Sequence, residues 1–194
     1  MQIKNYKMDT FFHIRMVMSI IMGLSITHLL KGGTKIIEHP KKYKPYWVHL
    51  LWALYVFLLL IFFWWFEIHL REVKQWEFIE YVFVIGYIIL YYVLCALLFP
   101  DDLSDYDGYA DYFYSRKKWF FSVLALVYAA DVIDTYIKGR DYVAHLHWEY
   151  PVRNTLHILL CIVAIRTGNR KFHAVLVILF LLYQLSWILR FYNT

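Results

Sequence analysis

Two cysteines, four prolines and seven glycines are all that this chain of 194 residues holds of the side chains that staple, break or loosen a backbone. Cys95 and Cys161 both fall within apolar stretches on separate segments, so they read as packing residues and no disulfide is expected. Charge is scarce as well, at 18% of residues, where a soluble domain carries about 25%. Space outside the apolar stretches is the scarcest commodity. The longest such segment, Pro100 to Lys118, is too short to fold a nucleotide-binding, kinase or protease module. No glycine-rich phosphate loop occurs anywhere in the chain. These absences exclude a soluble enzyme domain, and leave any chemistry to side chains in or at a membrane.

What is present is hydrophobic, with 61% apolar and 21% aromatic residues. Apolar runs cover about 11–30, 46–66, 78–99, 119–137, 153–167 and 172–191. Most approach the ~20 residues that cross ~30 Å of hydrocarbon at ~1.5 Å per residue. Pro40, Pro45, Pro100 and Pro151 lie between the runs or at their edges, where a missing backbone donor does no harm. Gly32, Gly33, Gly108, Gly139 and Gly168 read as connections, and only Gly23 and Gly86 interrupt a run. The pattern predicts an all-α polytopic membrane bundle of about six transmembrane helices with short loops, forming one domain over 1–194. The run at 153–167 is the shortest; it is expected to tilt, re-enter, or span with Arg153 and Arg166 snorkelling to headgroups. The first run contains Arg15 and two histidines and no small-residue cleavage pattern follows it, so a cleaved signal peptide is not expected.

The formal charge of +5 is spread over the connections, which is an orientation signal and no nucleic-acid footprint. Eleven basic residues in the first, third and fifth connections face six on the other side, or nine with Arg15, Arg153 and Arg190. That balance predicts both termini outside, in a bacterial inner membrane. Tyr46, Trp47, Trp64, Trp65, Tyr136, Trp148 and Tyr150 sit at run ends like an interfacial belt.

The polar residues inside the runs carry the functional expectations. Ser19, Gly23 and Thr27 repeat every four residues and form one ridge on the first helix. Such a ridge packs a neighbouring helix of the same subunit, or makes a subunit contact, or walls a pathway. In "LALVYAADVIDTYIKGR", Asp131 stands six residues before Ile137, about 9 Å below the helix end. Asp134 is spaced to pair with Lys138. A carboxylate at the depth of Asp131 requires a cation, and Arg15 and Arg153 map to the same leaflet. We therefore expect an intramembrane cluster of Asp131, Arg15, Arg153, Asp134 and Glu67, acting as structural glue or as a site that handles protons or cations.

The nine histidines sort by depth. His13, His69 and His157 map to one face, and His28, His49 and His173 to the other. Two stacked haems would need paired histidines at both depths, and the twenty residues between His49 and His69 span about 30 Å of helix, a whole membrane. A single b-type haem between His28 and His49 stays open. In "GRDYVAHLHWEYP", a helix would align Asp141, His145 and Glu149, and an extended chain His145, His147 and Glu149; either set could ligate a divalent metal. "DDLSDYDGYADYFYSRKK" resembles a calcium loop only at Asp105, Asp107 and Gly108, since Leu103 and Tyr114 stand where carboxylates are needed; it reads as an interfacial helix.

The functional expectation is a small oligomeric channel or transporter subunit moving protons, ions or a small solute. The alternatives are a non-catalytic scaffold or regulatory subunit of a larger complex, and a single-haem or quinone redox protein. The expected partners are the lipid bilayer and either further copies of the chain or another membrane protein, with no nucleic acid and, most simply, no cofactor.

Overall fold

The computed structural model describes residues 2–73 and 75–192, with side chains over 11–73 and 75–190. Lys4, Lys7 and Lys74, which enter the charge balance above, lie outside the described side chains. Seven helices and one 3₁₀ segment follow in order: α1 (Gln2–Glu38), α2 (Trp47–Phe66), the 3₁₀ segment Glu67–Glu72, α3 (Phe78–Leu98), α4 (Tyr109–Lys138), the short α5 (Arg140–His145), α6 (Glu149–Arg166) and α7 (Arg170–Tyr192). Among the described residues five stretches are long and apolar enough to cross a bilayer: Phe11–Glu38, Trp47–Glu72, Phe78–Leu98, Tyr109–Lys138 and Arg170–Arg190. The chain is thus a helical integral membrane protein. The remaining long helix, α6, has 18 residues, the fewest of the six long helices, and carries Glu149, Arg153 and Arg166.

Contacts fix the directions. Glu67 meets Lys138, so α2 and α4 run parallel, each ending at the face where α1 begins. Asp131 on α4 meets Arg153 on α6, while Lys117 near the start of α4 reaches Ala164, Ile165 and Thr167 at the end of α6, so those two helices are antiparallel. The starts of α1, α3 and α6 and the ends of α2, α4 and α7 share one face, called here the terminal face.

Two helices extend well beyond their apolar runs. α4 begins at Tyr109, ten residues before the run at 119–137. The basic group Arg116–Lys118 does not stop it, because Lys117 Nζ donates to three carbonyls left open at the end of α6, at 2.5–3.3 Å. The expected interfacial helix is therefore the first turns of α4. α1 likewise runs through Gly32 and Gly33 to Glu38. Gly32 is not a connection; a Cβ there would lie 2.1 Å from the Phe99 ring. Its hydrogen lets α1 approach the end of α3. In the short link before α4, Ser104 donates to Asp102 through its hydroxyl at 2.7 Å and its N–H at 3.0 Å, which holds the Asp102 carboxyl below its ordinary range.

The interior divides by depth. Toward the face opposite the termini, Trp52 is fully buried and meets Phe120, Phe121 and Phe180 edge to face at 5.2–5.4 Å. Aromatic packing in that geometry adds about 0.5–1.5 kcal/mol per pair beyond area burial. Toward the terminal face the interior is polar.

Candidate functional site

The polar half is built by helix ends. α2 tightens into the 3₁₀ segment at Glu67, whose N–H bonds back to Phe63 and Trp65; the tighter winding turns the Glu67 side chain inward. α4 stops one residue after Lys138 at Gly139, whose φ of 111° suits glycine alone. Lys138 Nζ donates to Glu67 Oε1 at 2.7 Å and also to Asp134 Oδ2, one turn back on its own helix. Their side chains are 3%, 5% and 1% exposed for Lys138, Glu67 and Asp134. Two carboxylates thus face each other across one ammonium. Their other oxygens, Glu67 Oε2 and Asp134 Oδ1, are buried with no hydrogen-bond partner among the protein's groups.

Beside this triad lies a second cluster, centred on Asp131. Its Oδ2 accepts from Tyr150 Oη and Asn154 Nδ2, both at 2.9 Å, and from Arg153 at 3.3 Å; its Oδ1 accepts from Tyr87 Oη at 3.3 Å. Thr135 binds the Tyr150 oxygen at 2.7 Å. Tyr91 in turn donates to Tyr87 at 3.3 Å. Arg153 is also held by ring faces, with Trp187 at 4.6 Å and Tyr150 at 5.2 Å. Both clusters border one cavity of about 70 Å³, whose wall includes Glu67, Asp131, Lys138 and Arg153 and the tyrosines Tyr87, Tyr91, Tyr128, Tyr142 and Tyr150. A volume of that size has room for a few water molecules. Three carboxylates stand within ion-pair distance of two cations, so the site carries one negative charge in excess when all are ionised.

The expected cluster is present in part. Asp131, Arg153, Asp134 and Glu67 come together, but Arg15 does not pair with Asp131. α1 packs on α3 and α2, whereas α6 packs on α4 and supplies the cation from there. Arg15 instead lies over Trp64 at 5.9 Å and Phe11 at 5.6 Å, and shares a separate small pocket with Glu67. The ridge of Ser19, Gly23 and Thr27 does not pack inside the subunit: all three are exposed, Gly23 has nothing within 4 Å of a Cβ, and Ser19 spends its hydroxyl on the Arg15 carbonyl. Ser19 and Gly23 border only a shallow apolar groove with Leu60, Ile61 and Trp64, remote from the polar cavity.

The candidate haem ligands each spend one ring nitrogen on the end of α3. His28 Nε2 lies 2.7 Å from the Phe99 carbonyl and His49 Nε2 2.7 Å from the Leu98 carbonyl. Both nitrogens therefore carry hydrogen and close the open end of α3. The metal set fails. His145 turns to the Asp141 carbonyl at 2.8 Å, and Glu149 is gripped by both arms of Arg190 at 2.6 and 2.7 Å. Among the described residues no three His, Cys, Asp or Glu side chains gather as metal ligands.

Sequence reasoning missed Lys138 as the shared partner of Glu67, and it missed the tyrosines. A signal existed: Tyr128, Asp131, Thr135 and Lys138 recur at spacings of three and four, a polar stripe on one face of an apolar helix. No protein-family model, curated protein or solved structure matches this chain.

Proposed function

We propose that this protein is a membrane transport subunit that takes up a proton or a small monovalent cation in the cavity at its terminal face. The observation that carries the reading is the pair of partnerless, buried carboxylate oxygens around Lys138, in a cluster that holds one negative charge in excess. Two carboxylates on one ammonium repel each other at low dielectric, and the strain is relieved by one exchangeable positive charge. The cavity brings that charge to Glu67, the member of the pair in its wall. Asp131, fixed by four side chains, holds Arg153 in the wall, and this ion pair serves as the charged element that the incoming cation must pass. An assembly of several copies, or a complex with a larger membrane protein, belongs to the same proposal, because one small bundle has little interior of its own.

The test is flux into proteoliposomes containing the purified full chain. Glu67→Gln and Asp131→Asn are each expected to slow uptake at least about tenfold, a barrier change of about 1.4 kcal/mol. Ser104→Ala, in the link before α4, is expected to leave it unchanged. Absence of any flux, with stoichiometric co-purification of another membrane protein, would overturn the reading in favour of a scaffold.

A further inference from the structure

We propose that the species carried is the proton, passed between the Glu67–Asp134 carboxyls and His173 through tyrosine hydroxyls and water, while the rings of Trp52, Phe121 and Phe180 exclude metal cations. This rests on the transport reading above and narrows it.

The path from the cavity to the opposite face is closed to anything that must keep a shell of oxygen ligands. Trp52 is fully buried and meets Tyr55, Phe121 and Phe180 at ring distances of 5.2–5.6 Å. A sodium or potassium ion needs several oxygens in place of its hydration shell, and these ring edges supply none. A proton needs only groups that accept on one side and donate on the other.

Such groups continue inward from the cavity. Tyr87 donates to Asp131, which leaves Tyr91 to donate to Tyr87, so this row of hydroxyls points its hydrogens at the Asp131 carboxylate beside the pair. Deeper, the hydroxyls of Tyr55 and Tyr128 bond to each other across α2 and α4. Trp52 follows, with its indole N–H buried and without a partner. Beyond it, Phe121 stacks on His173 at 5.5 Å. The His173 Nε2 lies 3.0 Å from the Thr167 carbonyl, which can only accept, so Nε2 carries hydrogen and Nδ1 presents a bare lone pair. That Nδ1 is also buried without a partner. Partnerless polar atoms thus stand above, within and below the aromatic plug. The proposed route places a bridging water at each of them.

The transfer balances without any oxidant or reductant. A proton arriving at His173 forms N–H at Nδ1; the Nε2–H, released from the Thr167 carbonyl, then breaks to a water at the far face, leaving a neutral ring in the other tautomer, which a turn of the ring resets. At each tyrosine one O–H bond breaks as another forms. At the carboxyl pair an O–H bond forms on one oxygen, cancelling the excess negative charge, and breaks again as the proton passes to a neighbouring water.

The experiment uses the full chain in liposomes with an internal pH dye, and a potassium gradient with valinomycin to set the potential. Proton uptake that follows the potential, unchanged when external sodium is replaced by a bulky organic cation, is the expected result. Tyr91→Phe, which removes a single hydroxyl oxygen, and His173→Gln are each expected to lower the rate at least tenfold with the elution profile of the folded protein retained. Sodium flux equal to or above proton flux would overturn the proton assignment and leave the transport reading standing. Full-rate proton flux in Tyr91→Phe and His173→Gln would overturn the route. Silence toward every ion would sink the transport reading itself.

Discussion

α4 carries a buried lysine near each end, and the two live under opposite conditions. Lys117 spends its ammonium on three backbone carbonyls at the end of α6. Nothing around it is left over: a helix terminus that lacked partners gains a donor, and a cation meets the negative end of a helix dipole. Lys138 sits between two carboxylates that each keep one oxygen unpaired. The same division runs through the histidines, since His28 and His49 close the end of α3 at one face while the carboxylates crowd together at the other. In one half, polar side chains complete the backbone, although His49 Nδ1, Trp52 Nε1 and His173 Nδ1 keep no partner there. In the other they answer one another imperfectly, and the imperfection is where an exchangeable charge belongs.

The sharpest way to break that contrast is to remove each lysine. Lys138→Met leaves two buried carboxylates without their cation and is expected to destabilise the bundle by about 3–5 kcal/mol. The loss is read as the unfolding midpoint in mild detergent. Adding Glu67→Gln and Asp134→Asn to the same chain is expected to restore most of it, because the repelling charges go with their counter-ion. Lys117→Met leaves carbonyls that neighbouring water can reach, so its expected cost is about 1–3 kcal/mol. Equal losses from the two single variants would show that Lys138 is as ordinary a cap as Lys117.

The contrast was only half legible in the sequence. Asp134 and Lys138 are one helical turn apart, and the depth of Asp131 follows from counting residues, so both were readable in advance. The terminal-face placement of Arg153 was readable too. Glu67 and Lys138 are 71 positions apart, and no local period reveals which helix a distant acid will face. Arg15 illustrates the same gap: depth alone made it as good a partner for Asp131 as Arg153, and helix neighbourhood decided otherwise. The histidines misled because imidazole nitrogens that suit a haem iron suit an open carbonyl equally well. Gly33 and the basic residues at 116–118 misled about helix ends, since a terminus is set by what satisfies it and not by composition.

Glycines on α1 extend the comparison to the apolar surface, with the smallest expected effects. Gly23 and Gly32 lie nine positions apart on one helix and look alike in sequence. A Cβ at Gly32 would enter the Phe99 ring at 2.1 Å, and Phe99 is held in turn: its carbonyl accepts from His28 and its ring packs edge-on to His49 at 5.1 Å. The ring cannot retreat without loosening the caps on α3, so Gly32→Ala is expected to cost about 1–3 kcal/mol by overpacking. A Cβ at Gly23 meets nothing within 4 Å. Gly23→Ala is therefore expected to change stability by no more than about 0.5 kcal/mol in the isolated subunit. Should Gly23→Ala destabilise the purified protein by more than Gly32→Ala does, a second surface must cover the ridge of Ser19, Gly23 and Thr27. The unfolding midpoint would then vary with protein concentration, as it does whenever folding is linked to assembly.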